Sequence, residues 1–197
     1  KDSVLKNATG WPDPEHLTTA RDLATLARRT IEDFPEYYRY YSEKEFTYNN
    51  IRQINRNPLL YKDIAADGLK TGHTQKSGYG LAASATKGNR RLILVVNGLR
   101  TKRDRSRESE RLLTWGFREF NNYRLFSAGE EVTKADVWLG ESPMVPLVIE
   151  KDMLVTLPRK ARRAMKVTVT FENPIPAPIA KGDRLAELVV TVPGREP

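Results

Sequence analysis

From Asn121-Asn122 onward the apolar residues come in short β-prone runs, at residues 137–139, 145–149, 153–157, 167–171 and 185–192. Glycine, proline or charge closes each run. Runs this short suit strands and are too brief for helices, and proline-rich breaks between them mark turns. The last part of the chain is therefore expected to be a small all-β sandwich. Upstream the pattern mixes helical and strand periods, so the 197 residues read as two unequal modules, residues 1–122 and 123–197.

In the first module Thr19 to Asp22 makes a capping-box pattern at a helix start, with Leu23, Leu26, Ala27 and Ile31 on one helical face. Pro35 disfavours helix in the residue before it and sets the end. Tyr37, Tyr38, Tyr40 and Tyr41 follow, a cluster better suited to packing than to base stacking. Asp67-Gly68 reads as a turn leading into Leu69-Lys70-Thr71-Gly72. Residues 79–86 and 91–96 read as a β-hairpin turning at Lys87-Gly88-Asn89. Ser106 is placed to cap a second helix, whose stripe of Leu112, Leu113, Phe117 and Phe120 has Gly116 at a close-contact position.

Composition removes several chemistries. With no cysteine the chain has no thiol nucleophile, disulfide or cysteine-ligated metal of its own. Its two histidines, His16 and His73, lack metal-site spacing, so a histidine-rich metal site is not expected and hydrolysis would run on serine chemistry. The longest apolar run is far short of the roughly 20 residues a membrane span needs. A formal charge of +8 favours an anionic partner without choosing one. The densest basic run, residues 100–107, has as its ordinary reading a solvated loop before a helix. Lys1, with no leader behind it, reads as a chain cut or processed upstream.

Lys70-Thr71-Gly72 is a short motif that gains weight from its setting. With Asn7-Ala8-Thr9-Gly10, Thr18-Thr19-Ala20-Arg21-Asp22-Leu23, Tyr41-Ser42-Glu43-Lys44, Asn55-Arg56-Asn57, His73-Thr74 and Trp115-Gly116 in order, the chain resembles the low-molecular-mass penicillin-binding serine D-alanyl-D-alanine carboxypeptidases. The resemblance implies an α/β fold. The first module would be the C-terminal part of a β-lactamase/transpeptidase-like domain, an antiparallel sheet with helices, and the family's C-terminal β-sandwich would follow. That family joins S-x-x-K, S-x-N and K-T-G at one site, and only the third is found here in its place. Ser84-Ala85-Thr86-Lys87 fits S-x-x-K by letters, but on a strand Ser84 and Lys87 point to opposite faces. Tyr48-Asn49-Asn50 mimics the second motif out of order.

The resemblance implies roles residue by residue. The K-T-G strand offers an edge along which an extended peptide adds as a further strand. Lys70 brings a cation near the acyl centre, the Thr71 hydroxyl holds a carboxylate, and Gly72 leaves room for substrate. The backbone N–H of His73 forms half of an oxyanion hole, whereas its imidazole reads as structural. Arg105, on the loop before the second helix, is the expected reader of the substrate's terminal carboxylate. Arg103 and Arg107 lie near enough to compete for that assignment. Arg56 lies close to the site or forms an ion pair supporting the strand, and His16 serves structure.

Further expectations follow from the family. The substrate is a peptidoglycan stem peptide, β-lactams inhibit, and the setting is periplasmic, at the outer face of the cytoplasmic membrane. The resemblance implies no metal or organic cofactor. The nucleophilic serine and its lysine are expected on a missing N-terminal segment, which remains associated as a fragment of the same precursor. The 197-residue chain is then neither stable nor active alone. The family also allows peripheral membrane association through a C-terminal anchor absent from these residues. Two alternatives stand beside this reading. One is a non-catalytic basic module binding an anionic polymer such as nucleic acid through residues 100–111, which accounts for charge but not for the ordered motifs, so no nucleic-acid partner is expected. The other is a D,D-endopeptidase of the same fold.

Overall fold

Thr19 starts the first helix, its Oγ1 accepting the Asp22 N–H at 3.1 Å. The computed structural model describes residues 2–194. Helix α1 (Ala20–Asp33) stops before Pro35, which opens the short α2 (Pro35–Tyr38), continued by a 3₁₀ turn over Arg39–Ser42. A two-stranded hairpin follows, β1 (Glu45–Tyr48) and β2 (Ile51–Ile54). Its turn is Asn49-Asn50, both with positive φ, a conformation asparagine tolerates. The letters that mimic a second catalytic motif are thus a hairpin turn.

After a 3₁₀ turn at Pro58–Tyr61 come β3 (Ala66–Thr74), β4 (Gly78–Lys87), β5 (Arg90–Leu99) and helix α3 (Lys102–Glu119). The three strands form an antiparallel sheet in the order β3-β4-β5. Its two faces are read from β5, where alternate residues point opposite ways. Leu92 and Leu94 join Leu59, Leu81, Ala83, Ala85, Leu113 and Phe117 in one core under α3. Ile93 joins Ala27, Ile31, Tyr38, Tyr41 and Leu69 under α1. Fully buried leucines such as Leu59 and Leu81 stabilise by roughly 1.5–3 kcal/mol each. Gly116 lets α3 cross β5 closely, since a Cβ there would lie 2.9 Å from Leu92 Cδ1 and push that side chain aside.

Several expectations need correction. Ser106 does not cap α3: the helix starts one turn earlier, and Thr101 Oγ1 accepts the Asp104 N–H at 3.0 Å. Arg105 therefore stands on the helix and not on a loop before it. Asp67-Gly68 is no turn but lies inside β3, at a bulge between Ala66 and Gly68. Gly68 is there because a Cβ would sit 2.6 Å from Tyr38 Oη. Phe120 belongs to no helix stripe, since α3 ends at Glu119.

The chain divides into two compact units, Lys1–Arg118 and Glu119–Pro197. The division precedes Asn122 because residues 120–122 already belong to a strand. The second unit holds β6 (Phe120–Phe126), β7 (Glu131–Trp138), β8 (Met144–Val148), β9 (Met153–Pro158), β10 (Lys166–Phe171), β11 (Ile175–Pro176) and β12 (Ala186–Thr191). A 3₁₀ turn at Arg159–Ala164 joins β9 to β10. Pairings are β6 with β9, β10 with β12, and β11-β7-β8 as a three-stranded sheet. Ala135, Leu147 and Ile175, with Phe171, Leu185 and Ala186, form one core shared by the β11-β7-β8 and β10-β12 sheets, the layered arrangement of a small sandwich.

Candidate active site

Strand β3 is the edge of its sheet. It pairs with β4 on one side, Lys70 opposite Ala82, Thr71 opposite Leu81, Gly72 opposite Gly80 and His73 opposite Tyr79. Thr71 is buried, Gly72 is exposed, and a Cβ placed on Gly72 would meet no atom within 4 Å. Gly72 is thus not demanded by internal packing, and the space over it is open.

Three cations converge beside this edge. Lys70 Nζ donates to the Thr71 carbonyl at 2.6 Å. Burial lowers the Lys70 pKa, and repulsion from Arg56 and Arg105 adds to the shift. Arg105 reaches in from α3, buried at 7% exposure. Its Nη2 donates to the Arg56 carbonyl at 3.4 Å, and its guanidinium lies 5.7 Å from the Tyr79 ring centroid. Burial also lowers the Arg105 pKa, Tyr79 opposing and Arg56 reinforcing the shift. Arg105 Nε has no partner among the described residues. No carboxylate pairs with Arg56, Lys70 or Arg105 among the described residues, so Arg56 makes no ion pair supporting the strand. Three cations without a carboxylate partner, around a half-buried edge, have the chemistry to hold an anion.

The competing arginines separate cleanly. Arg103 is exposed, and Arg107 is 62% exposed and tied to Asp104 and Glu108. Only Arg105 of the three points at the strand. His73 stacks on Tyr79 with ring centroids 3.9 Å apart, so its imidazole is held by packing. His16 lies away from this site, its Nδ1 accepting the Lys6 N–H at 3.2 Å.

Two supporting groups act through contacts that the motifs do not reveal. Asn57, 1% exposed, donates from Nδ2 to the Gly68 carbonyl at 2.8 Å and accepts the Leu59 N–H at 3.1 Å. It ties the turn that presents Arg56 to the start of β3. The second is an ionic knot beside Tyr38. Arg91 Nη1 donates to both Asp67 carboxylate oxygens, at 2.9 and 2.6 Å, and to Ser84 Oγ at 2.6 Å, while Tyr38 Oη donates to Asp67. Burial, reinforced by Asp67, raises the Tyr38 pKa. Ser84 is fully buried in this knot, while Lys87 is exposed at the strand's end. That pair is not a nucleophile with its base.

Comparison with known proteins agrees with this geometry. The family model for D-alanyl-D-alanine carboxypeptidase, peptidase S11, matches residues 1–101. The chain belongs to the D-alanyl-D-alanine carboxypeptidase family. The penicillin-binding protein 5 C-terminal domain matches residues 120–196. The chain is 42% identical over 197 residues to D-alanyl-D-alanine carboxypeptidase DacA of Escherichia coli (strain K12), covering 99% of this chain and 49% of that protein. DacA of Haemophilus influenzae is 40% identical, with 100% and 51% covered. Penicillin binding protein 5 from Haemophilus influenzae superposes with a TM-score of 0.90 at 39% identity, covering 99% of this chain and 58% of that one. The chain thus spans about half the length of the curated carboxypeptidases it matches.

Proposed function

We propose that the carboxypeptidase containing these residues removes the terminal D-alanine from peptidoglycan stem peptides, and that this chain supplies the carboxylate-reading half of its site. The observation that carries the reading is the convergence of Arg105, Lys70 and Arg56, without a carboxylate partner, on the open edge of β3. The peptide lies along β3 as an added strand over Gly72. Its terminal carboxylate accepts hydrogen bonds from Arg105 and the Thr71 hydroxyl, with Lys70 close by. A serine hydroxyl, supplied by polypeptide outside residues 1–197, attacks the penultimate carbonyl carbon and gives up its proton to a base. The His73 N–H steadies the oxygen that becomes anionic. The C–N bond breaks, the leaving nitrogen takes a proton, and D-alanine departs. Water then hydrolyses the ester and regenerates the serine.

The nucleophile-bearing segment is proposed to come from the same precursor and to pack non-covalently against this chain, which has no cysteine for a disulfide. A β-lactam mimics the same acyl group and carboxylate. Penicillin-binding protein D2 from Listeria monocytogenes, 29% identical with a TM-score of 0.51, was solved in an ampicillin-bound form. Acting on peptidoglycan, the protein would work at the outer face of the cytoplasmic membrane. The test is release of D-alanine by the intact protein from a peptide ending in D-Ala-D-Ala, beside the same peptide amidated at its end. Fast release from the free acid and slow release from the amide is expected. Equal rates would remove the carboxylate receptor from the mechanism.

A further inference from the structure

The second unit separates its charge in a way its fold does not require. Arg159, Lys160, Arg162, Arg163 and Lys166 stand within eight residues, with no acidic residue between Asp152 and Glu172. The acids of this unit cluster elsewhere, among them Glu130, Glu131, Asp136, Glu141, Glu150 and Asp152. All five cations are exposed, and none forms an ion pair among the described residues.

Local geometry concentrates them further. Residues Arg159–Ala164 form a 3₁₀ turn, in which residues three apart align. Arg159 stacks above Arg162 and Lys160 above Arg163, leaving half-buried Ala161 on the third side. The Arg162 guanidinium lies 4.8 Å from the Tyr123 ring centroid, which holds it in place. Beside the turn, β10 exposes one apolar side chain, Val167 at 37%. Dense arginine and lysine without an acidic neighbour, beside the exposed Val167, is the chemistry of a phosphate-bearing interface. A polyanion in free solution would be matched by the charge alone.

We infer that this basic turn docks the second unit on an anionic phospholipid surface. The contact needs no membrane-crossing element. Each cation near such a surface adds to the attraction, which fades over a Debye length of roughly 8 Å at physiological salt. The proposal does not depend on the carboxypeptidase reading, because it uses none of the residues around β3.

The test is co-sedimentation with vesicles of phosphatidylcholine alone and of phosphatidylcholine with roughly one-third phosphatidylglycerol. One variant combines Arg159→Gln, Lys160→Gln, Arg162→Gln and Arg163→Gln. A control removes the same charge from the first unit through Lys76→Gln, Arg100→Gln, Lys102→Gln and Arg103→Gln. Thermal unfolding checks that both remain folded. The parent should bind the anionic vesicles in preference to neutral ones and lose that preference at high salt. The turn variant should bind the anionic vesicles at least about ten-fold more weakly and the control less than about two-fold. Equal weakening in the two variants, equal binding of the parent to both vesicles, or tighter retention on duplex DNA at the same salt would each overturn the inference.

Discussion

Replacing Asn57 with alanine should unlock the start of the K-T-G strand, and the cost can be worked from the structure. The side chain is 1% exposed and makes two hydrogen bonds, to the Gly68 carbonyl at 2.8 Å and from the Leu59 N–H at 3.1 Å. Alanine leaves a buried acceptor and a buried donor unmatched, at roughly 1–3 kcal/mol each, and opens a small cavity. A combined loss of about 2–6 kcal/mol is a large share of a typical domain's stability. At roughly 4 °C per kcal/mol for a unit of this size, the midpoint should fall by about 8–24 °C. Asn55→Ala is the comparator: its Nδ2 donates to the Tyr41 and Glu43 carbonyls at 3.3 and 2.9 Å and its Oδ1 accepts the Asn57 N–H at 2.9 Å, so one buried donor is also left unmatched, but Asn55 itself is only half-buried and water replaces much of the rest. Thermal and denaturant unfolding of the intact protein would measure both. Asn57→Ala within about 0.5 kcal/mol of the parent, or costlier loss in Asn55→Ala, would refute the reasoning.

Three more outcomes follow from the same strand. Gly68→Ala should cost stability, because its Cβ meets Tyr38 Oη at 2.6 Å, whereas Gly72→Ala should unfold like the parent and still slow acylation by penicillin; a stable, fully active Gly72→Ala would show that substrate does not lie over that face. Arg105→Ala should reduce kcat/KM for free-acid peptides by about 10²-fold or more and narrow the gap to terminal amides, with Arg103→Ala and Arg107→Ala near parent; selective loss in either of those two instead would move the carboxylate site. The Lys70 ammonium, lowered by burial and then by Arg56 and Arg105, should make acylation fall as pH rises through a value below that of ordinary lysine, and Lys70→Arg should move the fall upward. Between the folded and unfolded Lys70 values the unfolded chain binds more protons, so this group's contribution to stability rises with pH there. A pH profile identical in parent and Lys70→Arg would separate Lys70 from the step.

What could be read from sequence was mainly local. Thr19 caps α1 and Lys87-Gly88-Asn89 turns the hairpin because both signals act within a few residues. The start of α3 was misplaced because Thr101 and Ser106 are both competent caps, and the choice falls to whichever has an aspartate three residues on. Asp67-Gly68 has the letters of a turn, but Gly68 exists to pass under Tyr38, a contact 30 residues distant in sequence. The hairpin β1–β2 was hidden because both its strands are exposed throughout and show no buried face. Lys70, Thr71 and Gly72 were legible as a motif. The burial of Arg105, which selects it from its neighbours, was not, since it depends on where α3 crosses the strands. Asn57 and Tyr79 act through backbone carbonyls and ring faces, which leave no spacing pattern.

The most direct test of the central claim is to label the native protein with a fluorescent penicillin, digest it and locate the adduct. The account predicts a serine ester outside residues 1–197, formed at a rate that drops when Lys70 or Arg105 is replaced by alanine. An adduct on a serine within residues 1–197, Ser84 above all, or labelling indifferent to both substitutions, would contradict it.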